Sequence, residues 1–571
     1  MSKTYLYYIV IFTLGFVFFA SCSSYKSERF FNLVDDFGAI PDDGLDDSEA
    51  FAKALDACRN NPGSTLVIPP GSYNYRNAKA IEFEYKGING QYGEDVQGHF
   101  FKPKGEYIIA LDMYGFKDIR IEANGATLIQ EGWYEAISIT NAQNVSIKGL
   151  KLTHKRPPFT TGQIIASTSN HFDMKIDTVK YPYLTDNITG RVHFYDVNKQ
   201  RVYAGGWHEK KELLDDKETI RIYSHIQPTV GDLCILRHSA HNRAGVLIKE
   251  SSDIELEDFT IHSQPGMGVI GHRSENIRLK NLQIIPSPGT VTSTNTDATH
   301  FTSCKGKIIF DACKFGGQGD DCTNIHNYYW SVYKESENMV RVTVENADLH
   351  ALSLDYPDVG DTLALVSKDN LTPIEYYIAK KVYTSTEEWK VVITLDKSIS
   401  HDLDQYYMIN TTRRPSVDII NCTVRSHLAR AFLIKTRNVY IAGNVMQSSS
   451  GTGVQLGAEA SWREGAPTEN ILIENNWFLD CGYGHGSQQG SAISAEVGGI
   501  EVAADQLNRN IIIRNNVIQA VGKTAIHIAD TDGVEIVGNE IFGSEKAIRV
   551  VNSKNVNVRN NGPLESDLSN N

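Results

Sequence analysis

The stretch "RNIIIRNNVIQ", Arg509 to Gln519, is followed one interval later by "DGVEIVGNEIF", Asp532 to Phe542. Each stretch alternates apolar and polar residues, as half-buried strands do, and then places Asn before a second short apolar run. Asn516 and Asn539 hold the same place in the two stretches and are 23 residues apart. A strand pattern that returns at this interval predicts a repeat protein, in which one turn of chain stacks on the next.

The same pattern occurs earlier in the chain. Asp258 and Asn281 are 23 residues apart, and so are Asn421 and Asn444. Asn and Gly at these places suit tight left-handed turns between strands. A strand-rich repeat of this length predicts an all-β protein, a right-handed parallel β-helix whose coils lie about 4.8 Å apart. A β-propeller would need roughly 40 or more residues for each blade.

The start of the repeat domain and two interruptions complete the predicted architecture. A helix from about Asp47 to Arg59 has apolar residues at helical spacing and is predicted to cap the first coil. Two segments rich in Tyr, Val, Thr and charges break the period and are predicted to be inserted antiparallel, barrel-like β modules. The predicted divisions are a signal segment, 1–22; a tether, 23–30; a cap with the first coils, 31–155; inserted module 1, 156–242; central coils with the site, 243–327; inserted module 2, 328–415; and C-terminal coils, 416–571.

The N-terminus predicts export. "MSKTYLYYIVIFTLGFVFFASC" has one Lys, an apolar run and small residues before Cys22. It resembles a bacterial lipoprotein signal, in which Cys22 becomes the lipidated first residue of the mature protein. The expected location is therefore the bacterial cell envelope, with membrane contact only through this lipid. The alternative is an ordinary signal peptide with an incidental cysteine.

Composition limits the possible partners. The 571 residues are 41% hydrophobic and 22% charged, with a formal charge of −14. Nucleic acids and anionic lipid surfaces need a basic protein surface, so neither is an expected partner. The cysteines are scattered and form no CxxC pair, so we predict neither a disulfide framework nor a zinc site. No cofactor or metal is expected, and the oligomeric state is not predicted.

The candidate site lies in "TNTDATHF", Thr294 to Phe301, and "GGQGDDCTNIH", Gly316 to His326. Asp297 is 23 residues before Asp320 and 24 before Asp321, so one coil separates them. Adjacent strand residues point to opposite faces, so Asp320 and Asp321 share a cleft only if the strand ends or bulges there.

Clustered carboxylates raise the pKa of at least one member, which gives a proton donor beside an ionised carboxylate, as glycoside hydrolysis requires. Side chains that diverge from neighbouring coils can reach the separation of about 6.5–9.5 Å that inverting enzymes use, but the sequence does not measure this distance.

Further polar residues flank the trio or lie one coil beyond it. Some are expected to bind sugar hydroxyls, and others to form turns or ladders. For Arg430 the alternative is a structural ion pair. The predicted substrate-binding residues are Asn295, Thr296, His300, Gln318, Asn324, His326 and Arg430.

"NTD" on one coil and "GDDC" on the next resemble the polygalacturonases, glycoside hydrolase family 28, in which all three aspartates are catalytic and the mechanism inverts. The chain departs from that family because no "GHG" follows at the expected place. The next coil instead offers "SHLARAFLIKT", with His427, and the Arg-x-Lys that binds uronate is here Leu433-Ile434-Lys435.

The block "DATHFTSCKGKIIFDACKFGGQGDDCTNIHNYY", together with "HSQPGMGVI" and the two inserted modules, is similar to glycoside hydrolase family 110. This resemblance implies an inverting exo-α-1,3-galactosidase, which removes terminal galactose from blood group B-type or linear α-1,3-galactosyl glycans. It also implies that Asp320 is the general acid and that Asp297 and Asp321 hold and activate the water.

Three other readings of the same pattern stay open. A polygalacturonase-like or other β-helix glycoside hydrolase would use the same trio. A calcium-dependent polysaccharide lyase would use the aspartates as metal ligands. A non-catalytic glycan-binding β-helix protein would bind sugar without turnover, because a fold alone does not decide a function.

Overall fold

Successive coils of the chain stack into three long parallel sheets. The computed structural model describes residues 29–93, 96–100, 105–185, 187–203, 206, 210–239, 241–344, 354–484, 490–500, 502, 505–519, 524–543 and 546–562. Cys22 and the predicted signal segment lie outside these ranges. No helix in the described ranges is both long enough and apolar enough to cross a membrane.

Each regular coil gives one strand to sheet A, then one to sheet B, then one to sheet C. Strands are numbered along the chain. Sheet A contains β1 (Arg29–Asn32), β2 (Ser64–Val67), β5 (Lys117–Glu122), β8 (Gln143–Lys148), β18 (Ser252–Glu257), β21 (Glu275–Lys280), β24 (Lys305–Asp311), β33 (Ser416–Ile420), β36 (Arg437–Ala442), β40 (Glu469–Glu474), β43 (Asn508–Arg514), β46 (Thr531–Val537) and β49 (Lys554–Arg559).

Sheet B contains β3 (Ser72–Arg76), β6 (Thr127–Glu131), β9 (Lys151–His154), β19 (Thr260–Ile261), β22 (Gln283–Ile284), β25 (Lys314–Gly316), β34 (Thr423–His427), β37 (Val445–Ser449), β41 (Trp477–Leu479), β44 (Val517–Gln519) and β47 (Glu540–Phe542). Sheet C contains β4 (Ile109–Asp112), β7 (Glu135–Thr140), β17 (Val246–Lys249), β20 (Val269–His272), β23 (Thr299–Thr302), β26 (Thr323–Tyr328), β35 (Phe432–Ile434), β38 (Val454–Leu456), β42 (Ile493–Ala495), β45 (Thr524–Ala529) and β48 (Lys546–Val551), with β39 (Glu464–Gly465) antiparallel to β26.

The strand register confirms the predicted repeat. Ile511 pairs with Val534, one coil and 23 residues later. Ile308 pairs with Val417, so the chain returns to the next coil of sheet A after inserted module 2. Inward-facing aliphatic and aromatic residues of all three sheets stack into one core. Along each strand, as in β43, these residues alternate with polar residues that face outward. The parallel β-helix prediction is therefore confirmed.

Asparagine has two roles in the repeat, of which the sequence predicted one. In the "NN" pair of β43's coil, Asn515 takes the predicted left-handed turn, with φ 53°. Asn516 instead points inward, and its Nδ2 donates to Oδ1 of Asn539 at 2.9 Å. Such amides form an internal ladder, whose members are Asn444, Asn476, Asn516, Asn539 and Asn561. The ladder satisfies polar groups at a buried corner of the coil.

We expect Asn516→Ala to lower the free energy of unfolding by about 1–3 kcal/mol, because the amide groups of Asn476 and Asn539 lose a buried partner. Denaturant unfolding measures this change. Asn557→Ala, at an exposed position of β49, is the control and should stay within about 0.5 kcal/mol. Equal losses in both variants would contradict a role for the ladder.

A helix covers the first coil, as predicted. Helix α1 (Ser48–Arg59) buries its apolar face, made of Ala50, Phe51, Ala54, Leu55 and Cys58. Arg29 and Phe30 belong to β1, and not to the predicted tether, because β1 pairs in parallel with β2. Helices α2 (Ala78–Ile88) and α3 (Gln97–Phe100) were not predicted; Asn77 caps α2 by accepting from two backbone N–H groups.

The two interruptions are antiparallel. Module 1 is a seven-stranded sheet of β10 (Phe159–Ser167), β11 (Phe172–Ile176), β12 (Arg191–Asp196), β13 (Arg201–Tyr203), β14 (Lys211–Leu213), β15 (Thr219–Ile222) and β16 (Leu233–Arg237). Module 2 is a closed barrel of β27 (Trp330–Lys334), β28 (Met339–Thr343), β29 (Thr362–Ser367), β30 (Pro373–Ser385), β31 (Lys390–Leu395) and β32 (Tyr406–Asn410). Two short 3₁₀ turns are Leu403–Gln405 and Ala460–Trp462. All these strands fall inside the predicted insertions.

Candidate active site

The three aspartates lie in the loops that lead from sheet B into sheet C. Asp297 is two residues before β23, and Asp321 is two residues before β26. The N–H of Ala298 donates to the carbonyl of Asp321 at 3.0 Å, so the two loops belong to adjacent coils. One carboxyl oxygen of each of Asp297, Asp320 and Asp321 lies within 4.8 Å of one oxygen of both others. The trio therefore converges.

Asp320 and Asp321 share one side because β26 begins only at Thr323. The alternation of a regular strand does not apply to the loop that carries them. Gly317 turns the chain into this loop with φ 72°, a conformation that a residue with a Cβ rarely adopts. The glycine-rich "GGQG" is thus the local reason that both carboxyls face the cleft.

Arg430 holds Asp321 from the next coil. Its backbone N–H donates to Oδ1 of Asp321 at 2.8 Å, and its Nη2 donates to Oδ2 at 2.9 Å. The N–H of Cys322 donates to the carbonyl of Arg430, which confirms that Arg430 lies one coil beyond Asp321. Such a charge-assisted pair fixes the orientation of the carboxylate.

A histidine pair lies behind Asp297. Oδ2 of Asp297 is 2.7 Å from Nδ1 of His300, and Nε2 of His300 is 2.9 Å from Nε2 of His326. Nδ1 of His326 donates to the carbonyl of Asn327 at 2.9 Å, because a carbonyl can only accept. Burial lowers the pKa of His300 to about 4 and that of His326 well below its usual value. Both imidazoles are therefore neutral near pH 7.

Burial raises the pKa of the Asp297 carboxyl well above its usual range, and the charge of Asp320 adds to the rise. Burial also raises the pKa of Asp321, although the Arg430 guanidinium opposes it. Asp320 is half-buried and the most accessible of the three. Carboxyls this close cannot all stay ionised, so the site combines a carboxylic acid with an ionised carboxylate.

A second charged group lies beside the trio. The Lys435 side chain is fully buried, and its Nζ lies 2.5 Å from Glu464 Oε2 and 2.8 Å from Glu459 Oε2. Burial alone would lower the pKa of Lys435, but the two glutamates raise it above the usual value. Arg430 lies 3.9 Å from Glu459, which links this group to the three aspartates.

The remaining predicted substrate contacts are enclosed by the protein. Asn295 donates to the carbonyl of Pro158, and Gln318 donates to backbone carbonyls and Ser293. Asn324 bonds to Glu464 and Lys435. The predicted residues that are at most 4% exposed are Asn295, Thr296, His300, Gln318, Asn324 and His326. Contact of these residues with substrate stays a prediction.

Two α-1,3-galactosidases are similar to this chain over most of their length. The α-1,3-galactosidase B of Bacteroides thetaiotaomicron is 27% identical over 474 residues, which cover 78% of this chain and 75% of that protein. The α-1,3-galactosidase A of Bacteroides fragilis is 25% identical over 564 residues, which cover 94% of this chain and 91% of that protein. The chain is a relative of the α-1,3-galactosidases. The predicted resemblance to glycoside hydrolase family 110 is confirmed, and the chain is a glycoside hydrolase.

Two further similarities concern the fold. A family model described as "Right handed beta helix region" matches residues 408–562 of this chain. Among solved structures, the A-module of a mannuronan C-5 epimerase from Azotobacter vinelandii covers 91% of this chain and 97% of its own, at 12% identity and a TM-score of 0.42.

Two described groups of residues bring possible metal ligands within 4.8 Å of one another: Asp297, Asp320 and Asp321, and His300, His326 and Glu464. Positive charge is already present in both groups, since Arg430 bonds to Asp321 and Lys435 bonds to Glu464. His300 and His326 also bond to each other through Nε2. The His300, His326 and Glu464 donors are engaged, and Asp321 is paired with Arg430, so neither group fits a cation well, and no step of the chemistry is assigned to a metal.

Sequence reasoning did not identify Glu459 or Glu464 as residues of the candidate site. Both lie in an excursion of the coil between β38 and β40, which returns to the site through β39. The available signal was the spacing from Asn444 to Asn476, which is 32 residues and thus longer than the usual 23. An extended coil next to the loops that carry the three aspartates could have indicated added site residues.

Buried histidines predict acid sensitivity of the fold. Burial lowers the pKa of His154, His300 and His427 to about 4, against about 6.5 in the unfolded chain. The unfolded state therefore binds more protons, and stability falls as the pH drops from about 6.5 to about 4. Each histidine contributes about 1.4 kcal/mol per pH unit in that window. Asp297 and Asp321, whose pKa values are raised, act in the opposite direction.

Unfolding midpoints at pH 7, 6, 5 and 4 test this expectation. They should fall with pH, and His427→Asn should flatten the dependence, because one buried imidazole is removed. A midpoint that rises on acidification would show that the buried carboxyls outweigh the histidines.

Proposed function

We propose that the chain is an exo-acting α-1,3-galactosidase, which removes terminal α-1,3-linked galactose from neutral glycans with inversion. The observation that carries this proposal is the convergence of Asp297, Asp320 and Asp321 within 4.8 Å, in a chain similar over 94% of its length to an α-1,3-galactosidase A. The candidate substrates are blood group B-type and linear α-1,3-galactosyl glycans.

Asp320 is the proposed general acid, because it is the carboxyl most open to the cleft. It protonates the glycosidic oxygen as the bond to galactose breaks. Asp297 and Asp321 hold the attacking water on the opposite face of the sugar, and the ionised carboxylate of this pair accepts the proton of the water as its oxygen bonds to the anomeric carbon. Two oxygens within 4.8 Å can both reach one water at about 2.8 Å. Arg430 orients Asp321 for this task through two hydrogen bonds.

The separation of the carboxyl groups bears on whether the reaction inverts or retains the anomeric configuration. The nearest carboxyl oxygens are closer than the separation of about 6.5–9.5 Å that most inverting enzymes use. Inversion is proposed from the family resemblance and from the room for one shared water. The anomer released first decides between inversion and retention.

A neutral sugar suits the charges around the trio. The five acids Asp297, Asp320, Asp321, Glu459 and Glu464 face two cations, Arg430 and Lys435. Lys435 is fully buried between its two glutamates. It is therefore not available to bind a uronate carboxylate, and the acidic surroundings would repel one.

The proposed location is the bacterial cell envelope, with a lipid on Cys22 as the anchor. Support comes from the N-terminal sequence, where an apolar run ends in small residues before this cysteine. Labelling of growing cells with a radioactive fatty acid tests this, and Cys22→Ala should abolish incorporation.

Sugar release by the purified chain without residues 1–22, with EDTA present, tests the proposed function. The substrates are α-1,3-galactobiose, a B-type trisaccharide, an α-1,6-galactoside and polygalacturonate, and NMR follows the anomer. We expect β-galactose from the two α-1,3 substrates alone. Initial α-galactose would replace inversion by retention. Galacturonate release, or no release from any substrate, would overturn the proposal.

A further inference from the structure

Arg237 connects inserted module 1 to the loops that carry Asp297 and Asp320, which are called the catalytic loops below because these aspartates are the proposed catalytic residues. It is the last residue of β16, an inner strand of the module's sheet. Its backbone pairs with Phe159 of β10 on one side and with Arg191 of β12 on the other. The start of the Arg237 side chain is therefore held in place by three strands.

The Arg237 side chain is buried and contacts both catalytic loops. Its Nη1 donates to the carbonyl of Gly319 at 2.6 Å and also to the carbonyl of Asn295. Gly319 directly precedes Asp320, and Asn295 is two residues before Asp297. One guanidinium thus joins the backbone just before the proposed acid to the backbone just before a water-binding carboxyl.

Two more features belong to the same junction. Nδ2 of Asn295 donates to the carbonyl of Pro158 at 3.0 Å, which ties the loop to module 1 a second time. A Cβ at Gly319 would lie 2.2 Å from Nη1 of Arg237 and 2.3 Å from the carbonyl oxygen of Asn295. The glycine before the Asp320–Asp321 pair is therefore required by the close approach of the guanidinium.

We propose that module 1 is a working part of the active site, in which Arg237 is a positioning residue that sets the distance between Asp297 and Asp320. The cation attracts two carbonyl oxygens that would otherwise repel each other, and so holds the two loops together. A shift of about 1 Å between reacting groups can lower a rate about 100-fold. This proposal rests on the proposed function for its kinetic consequence, but its geometric claim does not.

The variants Arg237→Met and Arg237→Lys test the proposal, with Arg221→Met as the matched control. Arg221 belongs to the same module and pairs with Asp173 on β11, away from the catalytic loops. We expect Arg237→Met to lower kcat about 100-fold with KM within about threefold. Arg237→Lys should keep an intermediate kcat, because an ammonium group can still donate to both carbonyls. Arg221→Met should match the wild type.

Crystal structures of the wild type and Arg237→Met test the geometry without a substrate. The separation of the Asp297 and Asp320 carboxyls should increase in the variant. An unchanged separation or a wild-type kcat overturns the proposal, and so does an equal loss of activity in Arg221→Met. If the wild type releases no galactose, the proposed function fails, while the crystal structures still decide whether Arg237 positions the loops.

Discussion

Asp320→Asn is expected to lower kcat for an α-1,3-galactoside about 1,000-fold, with KM within about threefold. An amide keeps the size of the carboxyl but cannot protonate the departing oxygen, and general acid catalysis contributes about 10²–10⁴ to the rate. Asp320 is half-buried in a loop, so the fold should tolerate the change. Initial rates on α-1,3-galactobiose and the thermal unfolding midpoint measure the two effects.

A substrate that needs no acid separates the role of Asp320 from general damage. Fluoride leaves α-galactosyl fluoride without protonation, so Asp320→Asn should retain far more activity on this substrate than on the disaccharide. Asp311→Asn, on the outward face of β24, should behave as the wild type on both substrates. Near-normal turnover of the disaccharide by Asp320→Asn would exclude Asp320 as the acid.

Lys435→Met is expected to lower the free energy of unfolding by about 3–5 kcal/mol. The ammonium group is buried within 2.8 Å of both Glu459 and Glu464, and its removal leaves two buried carboxylates without their shared partner. Lys307→Met provides the contrast, because its pair with Asp418 is half exposed and should contribute no more than about 1 kcal/mol. Denaturant unfolding at pH 7 compares the two variants.

The double variant Lys435→Met with Glu464→Gln identifies the cause of this loss. Removing one of the stranded charges should recover part of the stability, because Glu459 still has Arg430 at 3.9 Å. If the double variant is less stable than Lys435→Met alone, the loss comes from packing, and the charge explanation is wrong.

The fold could be predicted because its causes are local and repeated. Residues such as Ile511 and Val534 recur at 23-residue spacing and must face one core, whatever the rest of the chain does. The same spacing placed Asp297 one coil from Asp321. The position of Arg430 one coil beyond Asp321 could be predicted in the same way, because the apolar pattern also aligns the next coil.

Other parts of the site depend on how segments that are distant in sequence pack against each other, and the 23-residue repeat does not predict this packing. Arg237 is 82 residues from Gly319, and its role exists only because module 1 packs against the catalytic loops. Glu464 reaches Asn324 from 140 residues away through an irregular excursion of one coil. His300 was predicted to bind the sugar; the structure places it between Asp297 and His326 of the next coil, and its contact with substrate stays a prediction.

The seven cysteines from Cys58 to Cys481 are all buried, and none of these seven forms a disulfide. If the chain is exported as proposed, the same thiols are exposed on an unfolded chain before folding is complete. In an oxidising compartment, exposed thiols form disulfides within seconds to hours. The yield of active protein then depends on whether each cysteine is buried before an oxidant reaches it, and a reductant present during folding would raise that yield.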